Sequence, residues 1–279
     1  MSLSGEKRGY AVKIMKNKIY ELLKMGKRID ERAPEQFREV RVLTGVVAKA
    51  DGSALVSVGK TKILTGIKVE VGTPFPDRPD EGVFTVNAEL LPLASKTFEP
   101  GPPDERAIEL SRVVDRCLRE GQALDLQKLV LVEGQKVYML YIDCYVLDYD
   151  GNYFDAAVLS AVAALMSCSI PVYKVVDGRV EQVPGEKFKL ELRNIPVSVT
   201  MGLIRDKVVV DPLPAEEEVA DTIVTLGYSS ETVVAAIQKS APGLLPVPML
   251  REMVKLGLEQ SVKLRSKLLE AVGDGQKQV

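Results

Sequence analysis

The sequence predicts an α+β fold, and three observations predict it. Residues 39–72 read as consecutive strands, rich in Val, Ile and Thr and punctuated by glycines. Two helical segments of different character, 104–120 and 154–168, stand apart among further strands rather than alternating in a long regular series. No self-similarity appears at the periods of solenoids or propellers. The chain has 279 residues, of which 46% are hydrophobic and 27% charged. That is the balance of a globular chain with enough length for one or two buried cores.

Taken in order, 11–27 has a helical apolar rhythm of Val12, Met15, Ile19, Leu22 and Leu23, with a lysine-rich opposite face. Within 39–72, Asp51-Gly52 is a hairpin-type turn signal. Gly59-Lys60-Thr61 resembles the end of a phosphate-binding loop, but the required upstream glycine is Ala54, so a strand-turn-strand is expected there. Three prolines and a glycine make 73–82 a stiff irregular loop, with Arg78 at its middle. A strand over 84–91 closes at Pro92. The helix 104–120 starts on Asp104, suited to the N-cap, and ends before Gly121. Strands over 128–132 and 136–147 lead to the Asp150-Gly151 turn and the Ala-rich helix 154–168. The segment 171–190, with Pro171, Asp177-Gly178 and Pro184-Gly185, is the best candidate for a domain boundary. A second strand set follows over 190–204 and 207–212, turning at Arg205-Asp206. Then come a helix start near 214–219, a strand over 221–226, a short helix over 230–239 and a proline-rich bend over 242–248. The last helix covers 247–272, with Leu250, Val254, Leu258 and Val262 at i+4 spacing and Gly273 at its end. Residues 274–279 read as a polar, frayed tail.

Composition removes whole classes of chemistry. There is no histidine and no tryptophan, which excludes Ser-His-Asp and Cys-His catalysis, HExxH zinc chemistry and His-ligated haem. Cys117, Cys144 and Cys168 are too scattered for a CxxC metal site or a disulfide framework, and a reducing, cytoplasmic setting follows as the expectation. The longest uncharged run, 156–173, falls short of the ~20 apolar residues of a membrane span and is read as a buried helix. With 37 basic and 39 acidic residues, any polyanion binding must come from a local patch.

The helix 104–120 supplies such a patch. At about 100° per residue, Arg116 falls near +40° and Arg119 near −20° of Arg112. Ala107, Leu110, Val113, Val114, Cys117 and Leu118 occupy the opposite side. Ile108 is the one apolar residue on the polar side, which marks a contact there. The stripe could be a solvated face paired locally through Glu109 and Asp115, both at ion-pair spacing from Arg112. Against that, Arg112 and Arg116 are like charges at i,i+4, a mutual repulsion that a phosphate between them relieves. Asp211, Glu216, Glu217, Glu218 and Asp221 could make a general acid or magnesium site, but charge complementing a helix N-terminus explains them as well. Asp143, Asp148, Asp150 and Asp155 lack the spacing of a calcium loop and suit turn and cap roles.

Several ordered segments resemble one family. GKRIDERAPEQFREV at 26–40 resembles the Arg-x-Asp-x-Arg opening of RNase PH-like proteins. The run Arg106-x-x-Glu109-Leu-x-Arg112-x-x-x-Arg116-x-Leu-Arg119 is similar to that family's arginine helix. VNAELLPLAS at 86–95 and IDCYVLDYDGNYFDAAVLSAVAAL at 142–165 resemble its other first-domain blocks, and VVVDPLPAEEE at 208–218 the opening of its second domain. The resemblance covers about 28–265. It implies the RNase PH fold, two α/β-layered subdomains of which the first is like domain 2 of ribosomal protein S5 with βαβ units, plus N- and C-terminal helices. The implied division is an N-terminal helical extension over 1–27, domain 1 over 28–170, a linker over 171–190, domain 2 over 191–265, and a helix end and tail over 266–279.

Within the family the pattern is most similar to the catalytically silent ring subunit of the archaeal exosome. The resemblance implies a heterodimer with a catalytic RNase PH-like paralogue, three copies closing a hexameric ring, a trimeric S1/KH cap, and single-stranded RNA shortened from its 3′ end by phosphorolysis. It implies no catalytic residue, no metal and no cofactor on this chain. Inorganic phosphate is the implied co-substrate, and magnesium, where used, belongs to the partner's active site. Arg112 and Arg116 are the implied RNA-phosphate contacts near the partner's site, Arg78 touches entering RNA, and Arg106 and Arg119 are lesser contacts.

Departures from catalytic relatives carry the silent reading. Where those hold Asp-Gly-Gly-Thr-Arg-type phosphate-binding residues, this chain has Asp150-Gly151-Asn152-Tyr153-Phe154-Asp155, and Phe154 stands in place of an arginine. Glu217 falls near the first of their paired aspartates, with Asp221 too close to be the second. Their Arg-Arg pair before the arginine helix is replaced by Pro103-Asp104-Glu105-Arg106. Two rival readings are a self-sufficient homohexameric phosphorolytic RNase, and an RNA-binding or assembly module unrelated to phosphorolysis.

Overall fold

A computed structural model describes residues 3–176 and 179–275. The first sheet has six strands: β1 (Val40–Thr44), β2 (Gly52–Val58), β3 (Thr61–Gly72), β4 (Val83–Leu90), β5 (Val130–Val132) and β6 (Lys136–Asp148). Its order is β1-β2-β3-β6-β4, with β5 beside β6. Only the β4–β6 pairing is parallel, and α2 (Glu105–Glu120) lies in the chain between those two strands. α3 (Tyr153–Ser167) packs on β2 and β3. Its residues 156–165 are all buried, which explains why the uncharged run is apolar all round. The second sheet runs β10 (Lys207–Val210), β9 (Val197–Ile204), β11 (Thr222–Tyr228), β12 (Val234–Lys239), all antiparallel.

α3 also touches β9, and α5 (Val247–Gly275) packs on β1 and β9, so both sheets share one core. α1 (Leu3–Lys24) packs instead on α4 (Pro214–Val219) and β10. There Ile19 and Leu23 of the expected stripe join Ile204, Val209 and Val219 in a separate cluster, flanked by Val12 and Met15. No helix among the described residues is long and apolar enough to cross a membrane.

The structure corrects several expectations. Residues 230–239, expected as a helix, contain β12, because Val233, Val234 and Ile237 suit an edge strand and β11 offers a free side. Asp51-Gly52 does not turn the first hairpin. The chain crosses from β1 to β2 over 45–51, and Gly52 is needed because a Cβ there would lie 2.5 Å from the Ala164 carbonyl oxygen. The β2–β3 turn is Gly59-Lys60, with Gly59 at φ +57°. In α5 the i+4 series precesses off the core: Met253, Gln260, Ser261, Leu264, Leu268 and Val272 are buried, while Val262 is exposed. Gly273 lies inside that helix.

Of the segment 171–190, expected as a linker, residues 171–176 and 179–189 lie in a two-stranded ribbon of β7 (Ser169–Val176) and β8 (Arg179–Lys189). Asp177 and Gly178, the first two residues of the N-terminal extension and residues 276–279 of the expected tail lie outside the described residues.

Candidate nucleic-acid interface

α2 begins where the Asp104 side chain accepts from the Ala107 N–H at 2.9 Å. The six apolar residues expected on its inner face are the ones buried. The arginines on the other face divide by their partners. Arg112 and Arg116 are exposed, and among the described residues neither has an ion-pair or hydrogen-bond partner. Arg119 is bound to Asp115 through Nε at 3.1 Å and Nη2 at 2.8 Å, and stacks over Phe84 at 4.1 Å. Arg106 is held by Asp104 and the Thr97 carbonyl, and lies over Phe98.

Arg78 is exposed, and among the described residues its side chain pairs with Glu81 alone, at 3.5 Å. With Arg119 it lines a cavity of about 370 Å³ that continues into one of about 360 Å³ reaching Arg193. Asp77, Glu81, Glu120 and Asp125 line the same trough, so its acids offset its arginines. The sequence sets Arg78 on a separate loop from the stripe, whereas the structure joins it to Arg119 in this mixed-charge trough. Ile108 is 51% exposed, so the contact expected of it is not one this chain makes for itself.

The turn before α3 is built to stay closed. A Cβ on Gly151, at φ +82°, would lie 2.4 Å from the Pro212 carbonyl oxygen. Asn152 takes the left-handed conformation as N-cap of α3, donates to Asp211 Oδ1 at 2.7 Å and Asp155 Oδ2 at 2.9 Å, and gives its N–H to Glu217 Oε1 at 2.7 Å. The Tyr149 hydroxyl donates to Glu217 Oε2. Burial pushes the Glu217 carboxyl up to about 7, against the pull of those donors and of Arg38. Phe154 is 6% exposed, and its ring packs on Tyr153, which meets Tyr149, which meets Phe98. An aromatic stack surrounds Phe154, the residue that the family resemblance sets in place of a phosphate-binding arginine; its ring carries no charge and no donor for an anion, and the Tyr149 hydroxyl is already spent on Glu217.

The acidic cluster of the second sheet is resolved into structural pairs. Arg28 binds Glu216 through Nε at 2.9 Å and through Nη2, and also donates to the carbonyls of Val210 and Asp211. Arg38 grips both oxygens of Asp211, and Arg32 reaches the same carboxylate at 3.0 Å. Asp221 pairs with Lys16 at 2.5 Å. Asp155, whose carboxyl burial pushes upward, accepts from Ser198, Thr200 and Asn152. Among the described residues, no group of three or more cysteines and carboxylates is arranged to hold a metal ion. The Arg-x-Asp-x-Arg motif is therefore a clamp between the two halves of the molecule. The sequence carries its residues but not its partners, which lie 179–188 positions away.

Comparison with known proteins follows the same division. The model of the 3′ exoribonuclease family, domain 1, matches residues 36–171, and that of domain 2 matches 194–260. The chain is similar to the exosome complex component Rrp42 of Thermococcus gammatolerans, at 47% identity over 93% of this chain and 96% of the relative. It is similar to the Rrp42 component of Archaeoglobus fulgidus, at 44% identity over 93% and 97%. A structure of the Archaeoglobus fulgidus exosome with RNA bound to the active site holds a chain 43% identical, with a TM-score of 0.84 over 92% of this chain and 99% of that one. An archaeal exosome core gives 39% identity and a TM-score of 0.81, over 94% and 99%.

Proposed function

Because this chain belongs to the 3′ exoribonuclease (RNase PH) family, we propose that it is the non-catalytic ring subunit of an archaeal-type exosome, gripping RNA beside the active site of a catalytic paralogue. One contrast carries the reading: Arg112 and Arg116 stand exposed on α2 and unpaired among the described residues, while Phe154 and Tyr153 fill the turn where catalytic relatives bind phosphate. Two guanidiniums one helical turn apart suit successive phosphates of a single strand, and hold the backbone without reading its sequence. Proton transfer and phosphate binding fall to the paralogue. Arg106 and Arg119, each engaged by its own carboxylate, contribute less, and Arg78 meets RNA outside the main grip. Three copies alternate with three paralogues under an S1/KH cap, with inorganic phosphate, and any magnesium, at the paralogue's site.

The similarity to Rrp42 components and to a chain from an RNA-bound exosome supports this reading. The test is to add inorganic phosphate and single-stranded RNA to the purified chain, to its paralogue and to their complex. Nucleoside diphosphates are expected from the complex and none from the lone chain. Release by the lone chain would overturn the proposal.

A further inference from the structure

α2 places two carboxylates at ion-pair spacing from Arg112: Glu109 three residues before it and Asp115 three after. Either could neutralise it, and neither does. Asp115 is occupied on both oxygens by Arg119. Glu109 Oε1 accepts from Gln238 Nε2 at 2.8 Å and from Ser240 Oγ at 2.7 Å, the first on β12 and the second just beyond it. We infer that Gln238 and Ser240 are positioning residues that draw the Glu109 carboxylate off Arg112 and so keep the Arg112 guanidinium open to an RNA phosphate. The inference rests on the phosphate contact proposed for Arg112.

The energetics favour the arrangement. An ion pair on a helix surface is a weak competitor, because water screens it and two long side chains must be ordered to make it. Two short hydrogen bonds to a charged acceptor outweigh that pair. Both donors are neutral, so they hold Glu109 without adding a second cation that would compete for RNA. Remove them, and Glu109 has two cations at i,i+3 spacing, Arg106 and Arg112; Arg106 is already held by Asp104 and the Thr97 carbonyl, which leaves Arg112, and a phosphate must then win it back.

The experiment measures single-stranded oligoadenylate binding, without inorganic phosphate, by the complex of this chain with its paralogue. It compares the wild type with Gln238→Ala/Ser240→Ala, with that variant carrying Glu109→Gln, and with Arg112→Ala/Arg116→Ala. The double loss of donors is expected to weaken binding about two- to threefold, the size of a helix-surface ion pair. It also makes the salt dependence shallower by up to about 0.7 in log–log slope, one phosphate contact on a single strand. Glu109→Gln restores both, which repair of a merely damaged β12 would not do. Should Gln238→Ala/Ser240→Ala not assemble, Ser240→Ala alone carries the same test with the same rescue. Unchanged affinity, or weakening that Glu109→Gln fails to rescue, overturns the inference while a weakened Arg112→Ala/Arg116→Ala leaves the phosphate contact standing. Unchanged affinity in Arg112→Ala/Arg116→Ala removes that contact itself.

Discussion

The Tyr149 hydroxyl and the Glu217 carboxylate meet at 2.5 Å, tying the end of the first sheet's β6 to α4 beside the second. Here the acid is half-buried, bonded on both oxygens and backed by aromatic rings.

That burial has a pH signature. The folded-state pKa of Glu217, about 7, lies above the ordinary 4.5. Between those values the folded chain binds more protons than the unfolded one, so this group's contribution is most favourable below about pH 4.5 and is lost as pH rises through about 7. Glu217→Gln carries no such penalty. Its stability advantage over the wild type should grow from near zero at about pH 4.5 to about 3 kcal/mol above about pH 8. Urea unfolding at the two extremes checks this, and equal differences at both would remove the buried acid from the account.

The clamp of Arg28 on Glu216 is a buried ion pair with both side chains shielded from water. Arg28→Ala strands the carboxylate and should cost about 3–5 kcal/mol. Arg28→Met combined with Glu216→Leu should recover much of that, because a packed apolar pair replaces two desolvated charges. Denaturant midpoints of the wild type and the two variants decide it, and a harmless Arg28→Ala would deny the motif its structural role.

Phe154→Arg asks whether one residue can reopen the site. Phe154 is buried against Tyr153 and the core, so the new guanidinium would be desolvated where an aromatic ring now packs. The variant should lose about 3 kcal/mol or more of stability and gain no phosphate-dependent RNA shortening on its own. Nucleoside diphosphate release by the lone variant would show that silence rests on that residue alone.

Much of this was legible in the sequence because local rules were not in conflict. The inner face of α2 follows from its period, and Asp104 from cap chemistry. Strand β12 reads as a helix in the sequence because Ala235, Ala236, Gln238 and Lys239 favour one, and only the open side of β11 overrides them. The divided fates of the arginines were only half legible. Asp115 at i+3 and i−4 cannot announce that it chooses Arg119 over Arg112, and nothing local shows that Gln238 and Ser240 reach Glu109 across the fold. Glu217 stood out as a departure from the family pattern, but its partner Tyr149 is 68 positions away and came only with the structure.

The central claim is that Arg112 and Arg116 hold the RNA backbone for a partner that cuts it. It is tested most directly by the salt dependence of RNA binding by the complex, wild type against Arg112→Ala/Arg116→Ala. Loss of two phosphate contacts should weaken binding at every salt concentration and make the log–log slope shallower by about 1.4. The same slope and the same affinity in both proteins would contradict it.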